Sequence, residues 1–341
     1  MSERLIDEVA LGRWLEANVE GFAGPFELKK FTSGQSNPTY RLTAASGEYV
    51  LRRKPFGALL PSAHAVDREF RLMSALFPLG FPVPEPFAVC TDEDVIGAIF
   101  YVMELARGRS YADGALPDFD RATRRGMYEQ LIDTLADLHT IDAEKAGLGD
   151  FGKPGNYFER QVRRWTRQYR DSQTDYLPDM DRLISFLPES VPEQSRTSIV
   201  HGDYRIDNVL FDGDGTLTAV LDWELATLGD PLADFSYLAM QWAMPADGGA
   251  GLARLDLPAL NIPTLDEIVE RYSERSGVPV AATLDWYFAY NLFRLAGIVQ
   301  GIKKRVRDGT ASHAQAEEMA KRVPTLAQAA WRFAERAGAR R

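Results

Sequence analysis

Apolar residues recur along this chain with two different periods, and the change between them divides it. Leu5, Val9, Leu11, Trp14, Leu15 and Val19 fall near helical spacing and predict an amphipathic opening helix. Phe26 to Phe31, Tyr40 to Leu42 and Tyr49 to Lys54 then read as strands, separated by the polar stretch 32–38 and by the turn Ala45-Ser46-Gly47. A helix from about Ala65 to Phe77 follows, with Phe70, Met73, Leu76 and Phe77 expected on its buried side and Glu69 beside them. Pro82, Pro84 and Pro86 fix φ and keep their predecessors extended, so Phe81 to Pro86 predicts a stiff connector into a β-rich run, Ala98 to Glu104.

Beyond residue 107 the period becomes mostly helical. Met127, Leu131, Ile132, Leu135 and Leu138 form a stripe along Arg121 to His139. One β-like interval interrupts it: Ser198-Ile199-Val200, a polar loop from His201 to Asn208, and the runs Val209 to Phe211 and Leu217 to Leu221. Asp212-Gly213-Asp214-Gly215 between those runs is expected to supply the positive-φ residues of a hairpin. After Gly229-Asp230-Pro231 helices return, with Thr264 and Glu267 at capping-box spacing and a long apolar pattern from Leu284 to Val306. Trp165, Tyr169, Trp242, Trp286, Tyr287 and Tyr290 could line a cleft, although aromatics at such spacing more often belong to a core. The pattern predicts an α+β chain, and its 341 residues predict two lobes.

Composition narrows the functional classes. A net charge of −10 disfavours nonspecific nucleic-acid binding. Cys90 is the only cysteine, which leaves no intrachain disulfide or cysteine-rich zinc site and points to a reducing cytosol. His64, His139, His201 and His313 show no metal-ligand spacing. The opening residues lack a signal-peptide pattern, and no apolar run is long enough for a membrane helix, so a cytoplasmic protein without membrane contact is expected. Residues 106–290 are acidic and residues 291–341 basic, with Lys303-Lys304-Arg305 and Arg307 clustered in what reads as a solvated helix face.

The candidate chemistry lies in the β-like interval. Asp203 and Asn208 from the loop and Asp222 after the second run place two carboxylates and an amide at one end of a small sheet. Such oxygen donors suit a hard cation such as magnesium. With Asn208 and Asp222 on the metal, Asp203 is left to orient a hydroxyl nucleophile, the division of labour that phosphoryl transfer needs. The bland reading of the same residues is turn capping.

His201-Gly202-Asp203, Asn208, Leu221-Asp222, and Gly229-Asp230-Pro231 followed by Asp234 resemble, in order and spacing, the blocks of the aminoglycoside phosphotransferase and choline kinase families. The resemblance implies a bilobal protein-kinase-like fold: a nucleotide-binding lobe, 1–106, of antiparallel sheet plus helix, and a larger, mainly helical catalytic lobe, 107–341. It implies ATP and Mg2+ as cofactors, Asp203 as catalytic base, and Asn208 and Asp222 as metal ligands. Ser33, Gly34 and Ser36 would belong to the nucleotide-phosphate loop. Arg52 takes the place of the phosphate-contacting lysine of many relatives, with Arg53 or Lys54 as alternatives if the register slips, and Glu69 is its candidate helix partner. Met103 would flank the adenine, with the Glu104 carbonyl and the Ala106 N–H bonding its edge.

Val50 to Pro55, Leu59 to Glu69 and His201 to Asn208 further resemble the phosphotransferase domains found beside or fused to acyl-CoA dehydrogenases. That likeness implies a 4-hydroxyacyl-CoA as acceptor and a functional link to such a dehydrogenase. An aminoglycoside or a choline-like amino alcohol is the alternative acceptor. A non-catalytic nucleotide-binding module is the alternative of another class, for which Arg52 is the one hint.

Overall fold

Alternation along the early strands builds the first layer. The computed structural model describes residues 6–31, 37–56, 65–244, 250–280, 283–309 and 316–340. Asp7 accepts from the N–H groups of Val9 and Ala10 and starts α1 (Glu8–Asn18). Then come β1 (Phe26–Lys30), β2 (Thr39–Ala44), β3 (Gly47–Arg53), α2 (Val66–Leu76), β4 (Pro86–Cys90) and β5 (Phe100–Glu104). The five strands form one antiparallel sheet in the order β1-β2-β3-β5-β4. The edge strand β4 was not expected, because the prolines before it mask a strand that starts where a missing N–H is tolerated.

The pleat separates two cores. Tyr49, Leu51, Phe100 and Val102 turn toward α1 and pack with Leu11, Leu15 and Val19. Val50, Tyr101 and Met103 turn the other way, toward α2, and join the core of the helical part. Val9 is exposed, so α1 buries a narrower stripe than its apolar spacing suggests. On α2 the buried positions are Val66, Glu69, Leu72, Met73 and Leu76. Phe77, expected inside, is exposed because the helix gives way there to a 3-10 turn containing Pro78.

The helical part comprises α3 (Arg121–Thr140), α4 (Tyr157–Ser172), α5 (Pro178–Glu189), α6 (Leu232–Ala239), α7 (Leu257–Leu260), α8 (Leu265–Ser276), α9 (Asp285–Arg307), α10 (Ala316–Ala320) and α11 (Val323–Arg336). The expected stripe of α3 is fully buried, and the Thr264–Glu267 capping box is present at the start of α8. The six aromatics considered for a cleft are core residues; Trp286, Tyr287 and Tyr290 each pack against Phe158 within 5.3 Å between ring centroids. Among the described residues no helix is long and apolar enough to cross a membrane.

Four short strands carry the chain through the expected β interval. β6 (Ser198–Val200) pairs with β9 (Thr227–Gly229), and β7 (Val209–Phe211) pairs with β8 (Leu217–Val220). Of the two hairpin glycines only Gly215 has positive φ, and the Asp212 carboxylate completes the turn by accepting from the N–H groups of Asp214 and Thr216. The chain leaving β5 is tied to this hairpin through Arg109, which exchanges two backbone hydrogen bonds with Phe211. Gly108 allows that approach: its φ is +107°, and a Cβ there would lie 2.6 Å from the Phe211 carbonyl oxygen.

Candidate active site

The loop after β6 is held from below by one buried carboxylate. Asp234 on α6 accepts from the N–H groups of His201 at 2.6 Å and Gly202 at 2.7 Å, and lies 3.4 Å from His139 Nε2. Burial pushes the Asp234 carboxyl up, but the hydrogen bond and charge of His139, with His201 adding to them, outweigh it, and the group titrates below the ordinary range. His201, itself buried, has Nε2 2.8 Å from the Leu221 carbonyl, while its Nδ1 accepts from the Asp203 N–H at 3.2 Å. A ring with its proton on Nε2 and a free lone pair on Nδ1 satisfies both contacts. Gly202 between them has a φ of +85°, and a Cβ there would meet the Leu225 carbonyl oxygen at 2.8 Å.

Asn208 is tied to Asp203, and a backbone bond brings the residue before Asp222 to the same loop. The Asn208 amide donates to the Asp203 backbone carbonyl at 2.9 Å and to its Oδ2 at 3.0 Å, which leaves the amide oxygen as an acceptor. The Leu221 N–H donates to the Asn208 carbonyl at 2.8 Å and so brings the end of β8 to the loop. Asp222 follows in the left-handed region, with φ 66° and ψ 61°, and its side chain is 38% exposed.

Arg52 reaches this group from the sheet. Its Nε lies 2.9 Å from Glu69 Oε2, and its Nη2 lies 2.8 Å from Asp222 Oδ1 and 3.6 Å from Glu224 Oε2. The pleat decides which cation does this. Arg52 shares a face with Val50, whereas Arg53 turns to the other side, donating to the Tyr40 hydroxyl and lying over the Phe56 ring. Lys54 pairs with Asp67 instead. Glu69 is almost wholly buried; Asn37 donates to its Oε1 and the Tyr101 hydroxyl to its Oε2. Burial, with Asp222 and Glu224 adding to it, outweighs Arg52 and pushes the Glu69 carboxyl up to about 7.

At the end of β5, Met103 is buried on the α2 face, Glu104 donates its N–H to the Glu85 carbonyl, and Ala106 follows half-buried. Ser33, Gly34 and Ser36 lie outside the described residues. Among the described residues no group of three or more His, Cys, Asp and Glu side chains is arranged for a metal, which leaves the mixed pair of Asn208 and Asp222 as the candidate.

The sequence profile of the phosphotransferase enzyme family matches residues 27–268. The chain belongs to that family. The phosphotransferase is 43% identical over 320 residues to acyl-CoA dehydrogenase family member 10 of Mus musculus, a match covering 93% of this chain but 30% of that protein. It is 39% identical over 332 residues to acyl-CoA dehydrogenase family member 11 of Gallus gallus, covering 94% and 43% respectively. The chain therefore spans less than half the length of these relatives. Among solved structures, a Ralstonia eutropha protein provisionally named an aminoglycoside phosphotransferase superimposes with a TM-score of 0.89 at 44% identity, covering 97% of this chain and 99% of that one. The aminoglycoside phosphotransferase APH(4)-Ia, in a complex with ADP and hygromycin B, shares the fold with a TM-score of 0.59 at 15% identity, covering 95% and 98%. The phosphotransferase thus has the bilobal kinase-like α+β fold, with an antiparallel sheet in the small lobe and helices in the large one.

Two arginines in the phosphotransferase site escaped the sequence reading. Arg205, two residues beyond Asp203, pairs with Asp207. Arg294 projects from α9, donates from Nη2 to the Gly202 carbonyl at 2.8 Å, and lies over the rings of Tyr237 and Trp165. Burial opposes both charges, yet the surrounding tyrosines and Asp203 raise both pKa values, with Asp207 adding to the rise at Arg205. The Nε of each is buried with no hydrogen-bond acceptor among the described residues. Arg205 lies within the His201 to Asn208 block but carried no role there, and Arg294 stands in no motif. Only the fold brings α9 to the loop.

Proposed function

We propose that the protein transfers the γ-phosphate of ATP to a hydroxyl of a small molecule. Asp203 orients the hydroxyl and accepts its proton. Asn208 and Asp222 hold Mg2+, and their donor set fits it: the Asn208 amide oxygen is left as an acceptor, and Asp222 is a partly exposed carboxylate. Bound magnesium supplies charge neutralisation over the phosphates. Arg52, braced by Glu69, contacts the α and β phosphates, with Ser33, Gly34 and Ser36 in the covering loop. Met103, the Glu104 carbonyl and the Ala106 N–H receive the adenine, between lobes 1–106 and 107–341.

The observation that carries this reading is the bridge made by Arg52. One guanidinium joins the buried glutamate of α2 to the candidate metal ligand Asp222, which lies 170 residues beyond Arg52 in sequence. A turn-capping role for Asp222 leaves that bridge unexplained. Replacing Arg52 with methionine is expected to raise the KM for ATP about ten- to a hundredfold, the loss of one or two charge-assisted hydrogen bonds. Arg52→Lys recovers part of this, since it keeps the charge and loses the fork. An unchanged KM in initial-rate assays of Arg52→Met removes the residue from the nucleotide site.

For the acceptor we favour a 4-hydroxyacyl-CoA over a polycationic aminoglycoside or an amino alcohol. Arg205, paired with Asp207, and Arg294 lie close to Asp203, and Asp234 is taken up by the loop N–H groups, so this side of the loop offers a polycation little uncompensated negative charge. The names of the two relatives support a working link to an acyl-CoA dehydrogenase. Magnesium-dependent ATP consumption is measured across 4-hydroxyacyl-CoAs, aminoglycosides and amino alcohols. Turnover is expected with the CoA esters; turnover with an aminoglycoside alone reverses the acceptor assignment.

A further inference from the structure

The peptide group between Gly202 and Asp203 is pinned at both of its polar ends. Its N–H, from Asp203, donates to His201 Nδ1 at 3.2 Å, and its carbonyl, from Gly202, accepts from Arg294 Nη2 at 2.8 Å. This peptide sets the direction in which the Asp203 side chain leaves the backbone. With a glycine at φ +85° before it, the plane has no side-chain barrier of its own on that side, so its orientation depends on these two partners. His201 belongs to the loop. Arg294 belongs to α9, more than ninety residues away, and is the outside restraint.

The environment of Arg294 suits that task. Its guanidinium sits 5.1 Å from the Tyr237 ring centroid on α6 and 5.7 Å from that of Trp165 on α4, so two further helices fix its plane. Asn291, one turn earlier on α9, is buried and donates to the Ser236 hydroxyl on α6, which locks the helix that carries Arg294. The charge is held by tightly packed structure, not by a mobile surface chain.

We infer that Arg294 is a positioning residue for the reaction: it holds the Gly202 carbonyl from α9 and thereby fixes the direction of Asp203 toward the acceptor. The inference rests on Asp203 being the base. It adds that the packing of α9 against the loop is part of the catalytic geometry, so substitution of Arg294 acts on turnover and not on nucleotide binding.

The test pairs Arg294→Met with Arg294→Lys, using magnesium ATP and whichever acceptor the panel identifies, and amide hydrogen exchange of the unliganded full chain. Arg294→Met is expected to lower kcat about a hundredfold, the cost of an ångström-scale misplacement, with the KM for ATP unchanged. Arg294→Lys, which still reaches the carbonyl with a cation, recovers a large part of that loss. Exchange at Gly202 to Tyr204 is expected to speed up in Arg294→Met, while the α3 core keeps its protection. A kcat like the unaltered protein's, or unchanged exchange in that segment, overturns the inference. If the unaltered protein consumes no ATP with any acceptor, the proposed function falls instead, and the exchange experiment still decides whether Arg294 holds the loop.

Discussion

Asp203→Ala is expected to lower phosphoryl transfer by about 10² to 10⁴, the usual contribution of a positioned general base, while ATP binding stays measurable. The separation of effects follows from the geometry. Asp203 receives its contacts from Asn208 and from its own loop, whereas Arg52, Glu69 and Asp222 form a separate ion-paired group. Removing the Asp203 carboxylate deletes one acceptor of the Asn208 amide but leaves the bond to the Asp203 backbone carbonyl, so Asn208 keeps its place. Asp203→Asn is the sharper variant, because it preserves size and the acceptor for Asn208 but cannot take a proton. Initial rates and calorimetric ATP titrations on both variants check this. Undiminished turnover in either one removes Asp203 from the role of base.

Part of this site could be read from the sequence because its spacing is local. Asp203 and Asn208 lie on one loop, and the hairpin that returns the chain to Asp222 announces itself through Asp212 to Gly215. Which of Arg52 and Arg53 meets Glu69 was legible only to within the register of a strand; the pleat turns Arg52 toward Glu69 and Arg53 to the opposite face. Glu69 was placed beside Arg52 by analogy. Its near-complete burial and its three partners depend on Asn37, Arg52 and Tyr101 meeting from separate elements. No periodicity reports such a meeting. The same holds for Glu224 and Arg294, whose partners lie 172 and 92 residues away along the chain, so their ordinary-looking positions carried no signal. Strand β4 was hidden for a different reason: a proline run usually argues against a ladder, and here the ladder begins at the last proline.

The other large effect is expected at Asp234, a residue that touches no substrate in this reading. Its carboxylate is buried and takes two backbone N–H donors, with His139 at a longer distance. Asp234→Ala leaves those donors unpaired inside the protein, and the expected loss of stability is about 3–5 kcal/mol, as for a buried charge network that loses one member. Asp234→Asn does not repair it, since one of the two carboxylate oxygens becomes an NH₂ facing another N–H. The pH dependence gives the sign. The folded-state pKa of Asp234 lies below the ordinary value of 3.8, so its stabilising contribution is complete above 3.8 and is lost as pH falls through the folded value. Denaturant melts should therefore show the full gap between the unaltered protein and Asp234→Ala at pH 7, narrowing only below about pH 4. A gap that is absent at neutral pH, or that closes already near pH 6, contradicts an ionised Asp234 beneath the loop. His139 is held in place on the other side: burial lowers its pKa against the pull of Asp234, and its Nδ1 is engaged with the Tyr272 hydroxyl at 2.7 Å. The loop that carries Asp203 thus rests on a buried anion held by two backbone N–H donors and by His139. That requirement explains why a buried aspartate, and not an apolar residue, occupies the floor of the site.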